Sequence, residues 1–267
     1  MTRILAKTLN KLLFTFFVGI LSAENNNKEL ALNHFMQGEF LMNQGNYALA
    51  ILEFQDAIEL DPNASTIHVS IADGYSRIGK LSKAEDHLGI ALELDSEEKE
   101  ALEMLGQIFL SQKRYEEAKK TYQKLSDLEP SNVDFIFTLA DLARIERDWN
   151  LAIDYYVQGY ETNSLAVTGL EQALQIALTI SNFDRAQELC SLLLEENPTN
   201  IDLLETMKDL TLFNGDYDES LKILKKIEEI NGKSNEILIQ KSALYEELNQ
   251  PELALETIFD ALENDSV

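Results

Sequence analysis

Cys190, His34, His68 and His87 are the side chains of this 267-residue chain whose chemistry goes beyond fixed charge. A thiolate is a nucleophile or metal ligand, and an imidazole is a general base or a ligand, provided that partners stand at a suitable spacing. Along the sequence none of the four has such partners. The histidines show no spacing with Cys, Asp or Glu that would wrap a metal, and the chain has no HExxH, no glycine-rich phosphate loop and no nucleophile elbow. A single cysteine also forbids an internal disulfide. The expectation is no catalytic residue, no metal and no cofactor.

What positions these residues is a repeat. Ala50 returns as Ala84, Ala118, Ala152, Ala186, Ser220 and Ala254, with 34 residues between neighbours. Three residues earlier stand Tyr47, Leu81, Tyr115, Trp149, Phe183, Tyr217 and Pro251, and Pro62, Pro130 and Pro198 share one position two periods apart. Within a period, apolar residues recur at helical spacing, as in Ile51, Phe54 and Ile58 or Leu102, Leu105 and Phe109, so each segment reads as an amphipathic helix. Proline, with no amide hydrogen to donate, stops the second helix of a repeat. Pro251 is at the start of a helix, where that donor is not needed. Cys190 falls at the large-residue position shared with Phe54, Leu88, Tyr122, Tyr156, Leu224 and Ile258, which makes it a packing thiol. His34 and His68 share another position, which marks them as scaffold.

A 34-residue helix-turn-helix period resembles the tetratricopeptide repeat. Gly38, Ala50, Phe54, Ala57 and Pro62 match that family's pattern, and Gly106, Ala118, Tyr122 and Pro130 repeat the match. Leu125 replaces a small residue in the third repeat, Leu174 and Leu193 do so in the fifth, and Lys208 and Ile227 in the sixth. The pattern alone predicts an all-α solenoid; the resemblance implies a right-handed superhelical one. Seven repeats then begin at 31, 65, 99, 133, 167, 201 and 235 and run to 267. No helix pair can bury its apolar faces alone, so neighbours must stack.

The first residues differ. Arg3, Lys7 and Lys11 precede the ten-residue apolar run Leu12 to Leu21, and Ala23 offers a cleavage point. Ten residues suit an export signal over 1–23, whereas a spanning helix needs roughly 20. A secreted or periplasmic location follows, with an uncleaved membrane tether as the lesser reading because Leu21 stands where a small residue is usual. Glu24 replaces the cysteine that lipid attachment requires. Residues 24–30 read as a polar joint.

The formal charge is −25 and becomes three units more negative without the leader. Such a field repels nucleic acid and anionic lipid. The expected partner is a protein or peptide, basic or mixed with apolar residues. By the resemblance, first helices line a concave groove through the second, fifth and ninth positions of each repeat. These place Phe35, Glu39, Asp73, Phe137 and Asp141 in the groove, with Arg77 and Arg144 one turn further on and spaced to pair with Asp73 and Asp141. No fifth or ninth position is basic, which excludes the clamp that holds acidic peptide tails in some members of the family. The reading is a non-catalytic scaffold in cell-envelope assembly. The alternative is the substrate-recognition part of a longer enzyme whose catalytic domain lies beyond Val267. An uncapped last repeat would further offer a surface for self-association.

Overall fold

The computed structural model describes residues 26–264, and the expected export signal over 1–23 lies outside them. Among the described residues every regular element is a helix. The first, α1, covers 26–43. It is followed by α2 (Tyr47–Leu60), α3 (Ser65–Arg77), α4 (Leu81–Leu94), α5 (Lys99–Ser111) and α6 (Tyr115–Leu128). Then come α7 (Val133–Ile145), α8 (Trp149–Thr162), α9 (Val167–Thr179), α10 (Phe183–Glu196), α11 (Ile201–Phe213), α12 (Tyr217–Asn231), α13 (Asn235–Glu247) and α14 (Pro251–Asn264). Consecutive helices pack in pairs within two compact lobes, one ending at Pro130 and the other beginning at Ser131. None of the described helices is long and apolar enough to cross a membrane.

The helices α3, α5, α7, α9, α11 and α13 begin at the first residue of successive 34-residue periods. The polar joint is corrected in part, because 26–30 already belong to α1. Its Asn, Lys and Glu lack apolar periodicity but also contain no helix breaker, so an exposed extension of a packed helix carries them.

Each helix pair turns through one residue in the left-handed region, and these seven residues keep the period: Gly45, Gly79, Lys113, Arg147, Ser181, Gly215 and Asn249. The turn closes with the hydrogen bonds of a Schellman cap, as where Asn46 N–H donates to Leu41 C=O at 2.9 Å and Gly45 N–H to Met42 C=O at 2.9 Å. Pairing thus satisfies carbonyls that a helix end leaves open. In the second lobe six helix starts are closed as well, by side chains of Asn132, Asp148, Asn182, Asn200, Asp216 and Ser234 that accept backbone N–H bonds.

The small residues at the head of each second helix, from Ala50 to Ala254, are all buried. Large residues fill the space that small residues on the first helices open: the Phe54 ring lies over Gly38 and the Tyr122 ring over Gly106. In the fifth repeat the sizes are exchanged, with Leu174 and Cys190 at these positions and both buried in one core. The departure from the family pattern therefore conserves volume. In the sixth, Lys208 is buried and its ammonium is held by Glu205 and by Gln240 Oε1 at 3.0 Å.

Candidate functional site

The first helices of the N-terminal lobe gather five of its polar side chains into one cleft. Glu39 projects from α1, Ser70, Asp73 and Arg77 from α3, and Glu100 from the first turn of α5, with Met42, Asn43 and Tyr47 completing a cavity of 320 Å³. Ser70 Oγ donates to Glu39 Oε1 at 3.0 Å, and Arg77 Nε donates to Asp73 Oδ1 at 3.1 Å. Partial desolvation, then the negative charges of Glu98, Asp73, Glu39 and Glu103, push the Glu100 carboxyl upward. Removing a carboxylate from water and surrounding it with others disfavours its ionised form, and a nearby cation would offset both effects. Arg77 is the one cation in the lining, and Asp73 already holds it.

Asp73 and Arg77 also edge a second cavity of 540 Å³, lined further by Leu81, Met104, Gln107 and Ile108. The acidic cleft therefore adjoins one of mixed character, whose apolar side is formed by Leu81, Met104 and Ile108.

Two family profiles, both described as tetratricopeptide repeat, match residues 19–64 and 69–133. The chain belongs to the tetratricopeptide-repeat family. Small glutamine-rich tetratricopeptide repeat-containing protein 2 of Mycosarcoma maydis is 34% identical over 96 residues, which is 36% of this chain and 27% of that protein. DnaJ homolog subfamily C member 3 of Bos taurus is 23% identical over 94% of this chain and 47% of its own length. The chain thus spans less than half of either relative. A solved tetratricopeptide repeat protein from Parabacteroides merdae superposes with a TM-score of 0.54, covering 88% of this chain and 93% of its own at 16% identity, a likeness of fold. Tetratricopeptide repeats are typically non-catalytic scaffolds for protein–protein interaction.

The tetratricopeptide groove positions named from sequence do not all meet. Glu39, Asp73 and Arg77 converge in the acidic cleft. Phe35 is separate from it: its ring packs on Phe54 at 5.6 Å and edges a different cavity beside Leu32, Asp61 and Ile67. In the C-terminal lobe, Asp141 accepts from Arg144 Nη2 at 2.9 Å and from the Tyr156 hydroxyl at 2.6 Å. Burial and that carboxylate keep Tyr156 protonated well above its ordinary range. The Phe137 ring is half-buried, tilted against Tyr156 with centroids 5.6 Å apart and wedged against Gly159 and Gly169. It is first of all a packing residue of its repeat.

Ser70 and Glu100 were missed. Glu100 occupies the second position of the third repeat, so a reading of all second positions would have found it. The histidine reading is also amended. His34 Nδ1 lies 2.8 Å from Glu53 Oε2, with Asp56 one turn along α2, and His68 Nδ1 lies 3.1 Å from His87 Nδ1. Both pairs are 19 residues apart, the distance at which a helix returns along its partner, and linear ligand spacings do not include it.

Cys190 is a buried thiol whose Sγ donates to Leu203 C=O at 3.3 Å, and burial pushes its pKa up to about 11. The folded chain therefore holds this proton more tightly than the unfolded chain, for which the ordinary value is 9.0. The contribution is complete below the unfolded value and is lost as pH rises through the folded one. Urea midpoints are expected to fall between pH about 9 and about 11. In Cys190→Ala the fall should be shallower, with the residue of the slope due to Tyr122 and Tyr156, whose pKa values are also raised by burial. An unchanged slope in the variant would refute the assignment.

Proposed function

We propose that this tetratricopeptide-repeat protein is a non-catalytic scaffold that binds a peptide or protein segment carrying Lys or Arg beside apolar side chains. The observation that carries the reading is the convergence of Glu39, Asp73 and Glu100 in one cleft, with Glu100 unfavourably placed for its own charge. The chain's net charge of −25 steers a basic partner toward it, and the neighbouring cavity at Met104 and Ile108 receives an apolar side chain. Export to the cell envelope belongs to the same proposal, supported by Arg3, Lys7 and Lys11 ahead of the apolar run 12–21. So does self-association through α14, where Leu255 and Phe259 are exposed.

The test uses two labelled peptides of equal length, one alternating Lys and Leu and one alternating Glu and Leu, followed by fluorescence anisotropy. The basic peptide is expected to bind and the acidic one not. Glu39→Lys with Asp73→Lys should weaken the basic peptide at least tenfold, about 1.4 kcal/mol. Equal affinity in the variant would sink the groove reading.

Glu100 adds a prediction with opposite signs. Its pKa is raised in the fold, so its ionisation costs stability once pH passes its ordinary value, while a cationic partner needs the charge. Glu100→Gln should raise the urea midpoint at pH 7 and weaken the basic peptide. In the wild type, affinity should climb with pH as Glu100 ionises, and this climb should flatten in the variant. A variant that binds as tightly as the wild type would remove Glu100 from the site.

A further inference from the structure

The fourth position of each first helix and the position 19 residues later hold apolar side chains in the fifth and sixth repeats, Leu170 with Leu189 and Leu204 with Ile223, all buried. In the first two repeats both positions instead carry titratable side chains. In the second, His68 and His87 satisfy each other, and His87 stacks on Tyr75 at 5.6 Å, closing a pair whose His68 is 7% exposed. In the first, the pair is open: the side chains of His34 and Glu53 are 37% and 31% exposed. Asp56 joins them from the next turn of α2, so that one ligand atom from each lies within 4.8 Å of the other two. Among the described residues this is the one place where three such side chains bring ligand atoms that close together.

We propose that His34, Glu53 and Asp56 form a site for a divalent transition metal ion of the Zn²⁺ class. The donor set selects the class. Imidazole nitrogen with two carboxylates suits Zn²⁺, whereas Mg²⁺ and Ca²⁺ take oxygen ligands throughout. Zinc bonds to such ligands are about 2.0–2.2 Å long, so ligand atoms around a tetrahedral ion stand roughly 3.3–3.5 Å apart. His34 and Glu53, now 2.8 Å apart, need open only slightly, and Asp56 swings in from an exposed position. Water completes the shell from the solvent side. Coordination through His34 Nδ1 replaces its hydrogen bond to Glu53 and leaves the ring proton on Nε2. The ion ties α1 to α2 and neutralises two carboxylates of a strongly acidic chain. The second-repeat pair has two nitrogens with no third ligand among the described residues and with His68 buried, and serves as an internal control.

The experiment is isothermal titration of the full chain with zinc chloride in a chelator-free, non-coordinating buffer, with circular dichroism to verify that each variant is folded. One equivalent of Zn²⁺ is expected to bind and to raise the melting temperature, with Mg²⁺ in excess failing to compete. His34→Ala and Asp56→Asn should each weaken this site at least tenfold, while His68→Ala leaves it unchanged. His34→Gln, which keeps the length and a hydrogen bond to Glu53, replaces His34→Ala if that variant is unfolded. The assignment is overturned if no saturable equivalent binds. It is equally overturned if His34 and Asp56 variants bind as the wild type does, which is diffuse attraction to surface carboxylates, or if binding disappears in His68→Ala.

Discussion

Phe54→Ala is expected to destabilise the N-terminal lobe by about 3–5 kcal/mol, the range for emptying a fully buried aromatic site. Phe54 has no exposed surface, and its ring fills the space over Gly38 while packing on Phe35 at 5.6 Å. A methyl group on Gly38 would stand 2.4 Å from that ring, so the glycine and the phenylalanine are two halves of one contact. Gly38→Ala alone should cost about 1–3 kcal/mol through overpacking. In the Phe54→Ala background the added methyl enters the cavity, and its cost should vanish or change sign. Urea unfolding of the two single variants and the double variant measures this coupling. Strict additivity would show that the ring does not depend on the missing Cβ. Because a repeat is held only by its neighbours, the loss should spread through the lobe rather than stay local.

Gly169→Ala is expected to cost about 3 kcal/mol, at the upper end for overpacking, because the obstacle is backbone. Its methyl would lie 2.6 Å from the Tyr156 carbonyl oxygen and 2.8 Å from the Phe137 ring. That carbonyl belongs to α8 and cannot turn aside without breaking the helix. Gly159 provides the comparison, since the nearest obstacle to a methyl there is the Phe137 side chain, at 2.2 Å. Phe137→Ala should therefore rescue Gly159→Ala and fail to rescue Gly169→Ala in thermal unfolding. Rescue of both would mean that the helix backbones move apart to accept the methyl. The same geometry makes Phe137 a poor probe of binding: its truncation removes a wedge between α7, α8 and α9, so lost affinity and lost packing would be confounded. Glu39, Asp73 and Glu100, with side chains in an open cleft, are free of that difficulty.

The 34-residue period determined where helices begin, which residues are small and buried, and that Cys190 packs rather than reacts. It also determined the ion pairs of Asp73 with Arg77 and of Asp141 with Arg144, since residues three or four apart share a helix face whatever surrounds the helix. Only the tertiary structure decided that Ser70 and Glu100 join Glu39, that Phe137 turns into the core, and that His34 meets Glu53 and Asp56. It also placed Lys113, Arg147, Ser181 and Asn249 in left-handed turns where the equivalent repeats use glycine. The physical reason is the same in each case. Spacing along one helix follows from its 3.6-residue turn, but contacts between helices depend on how each is rotated about its axis and how closely it approaches its neighbour. Those two quantities are set by the packing of many side chains at once, which no periodicity records.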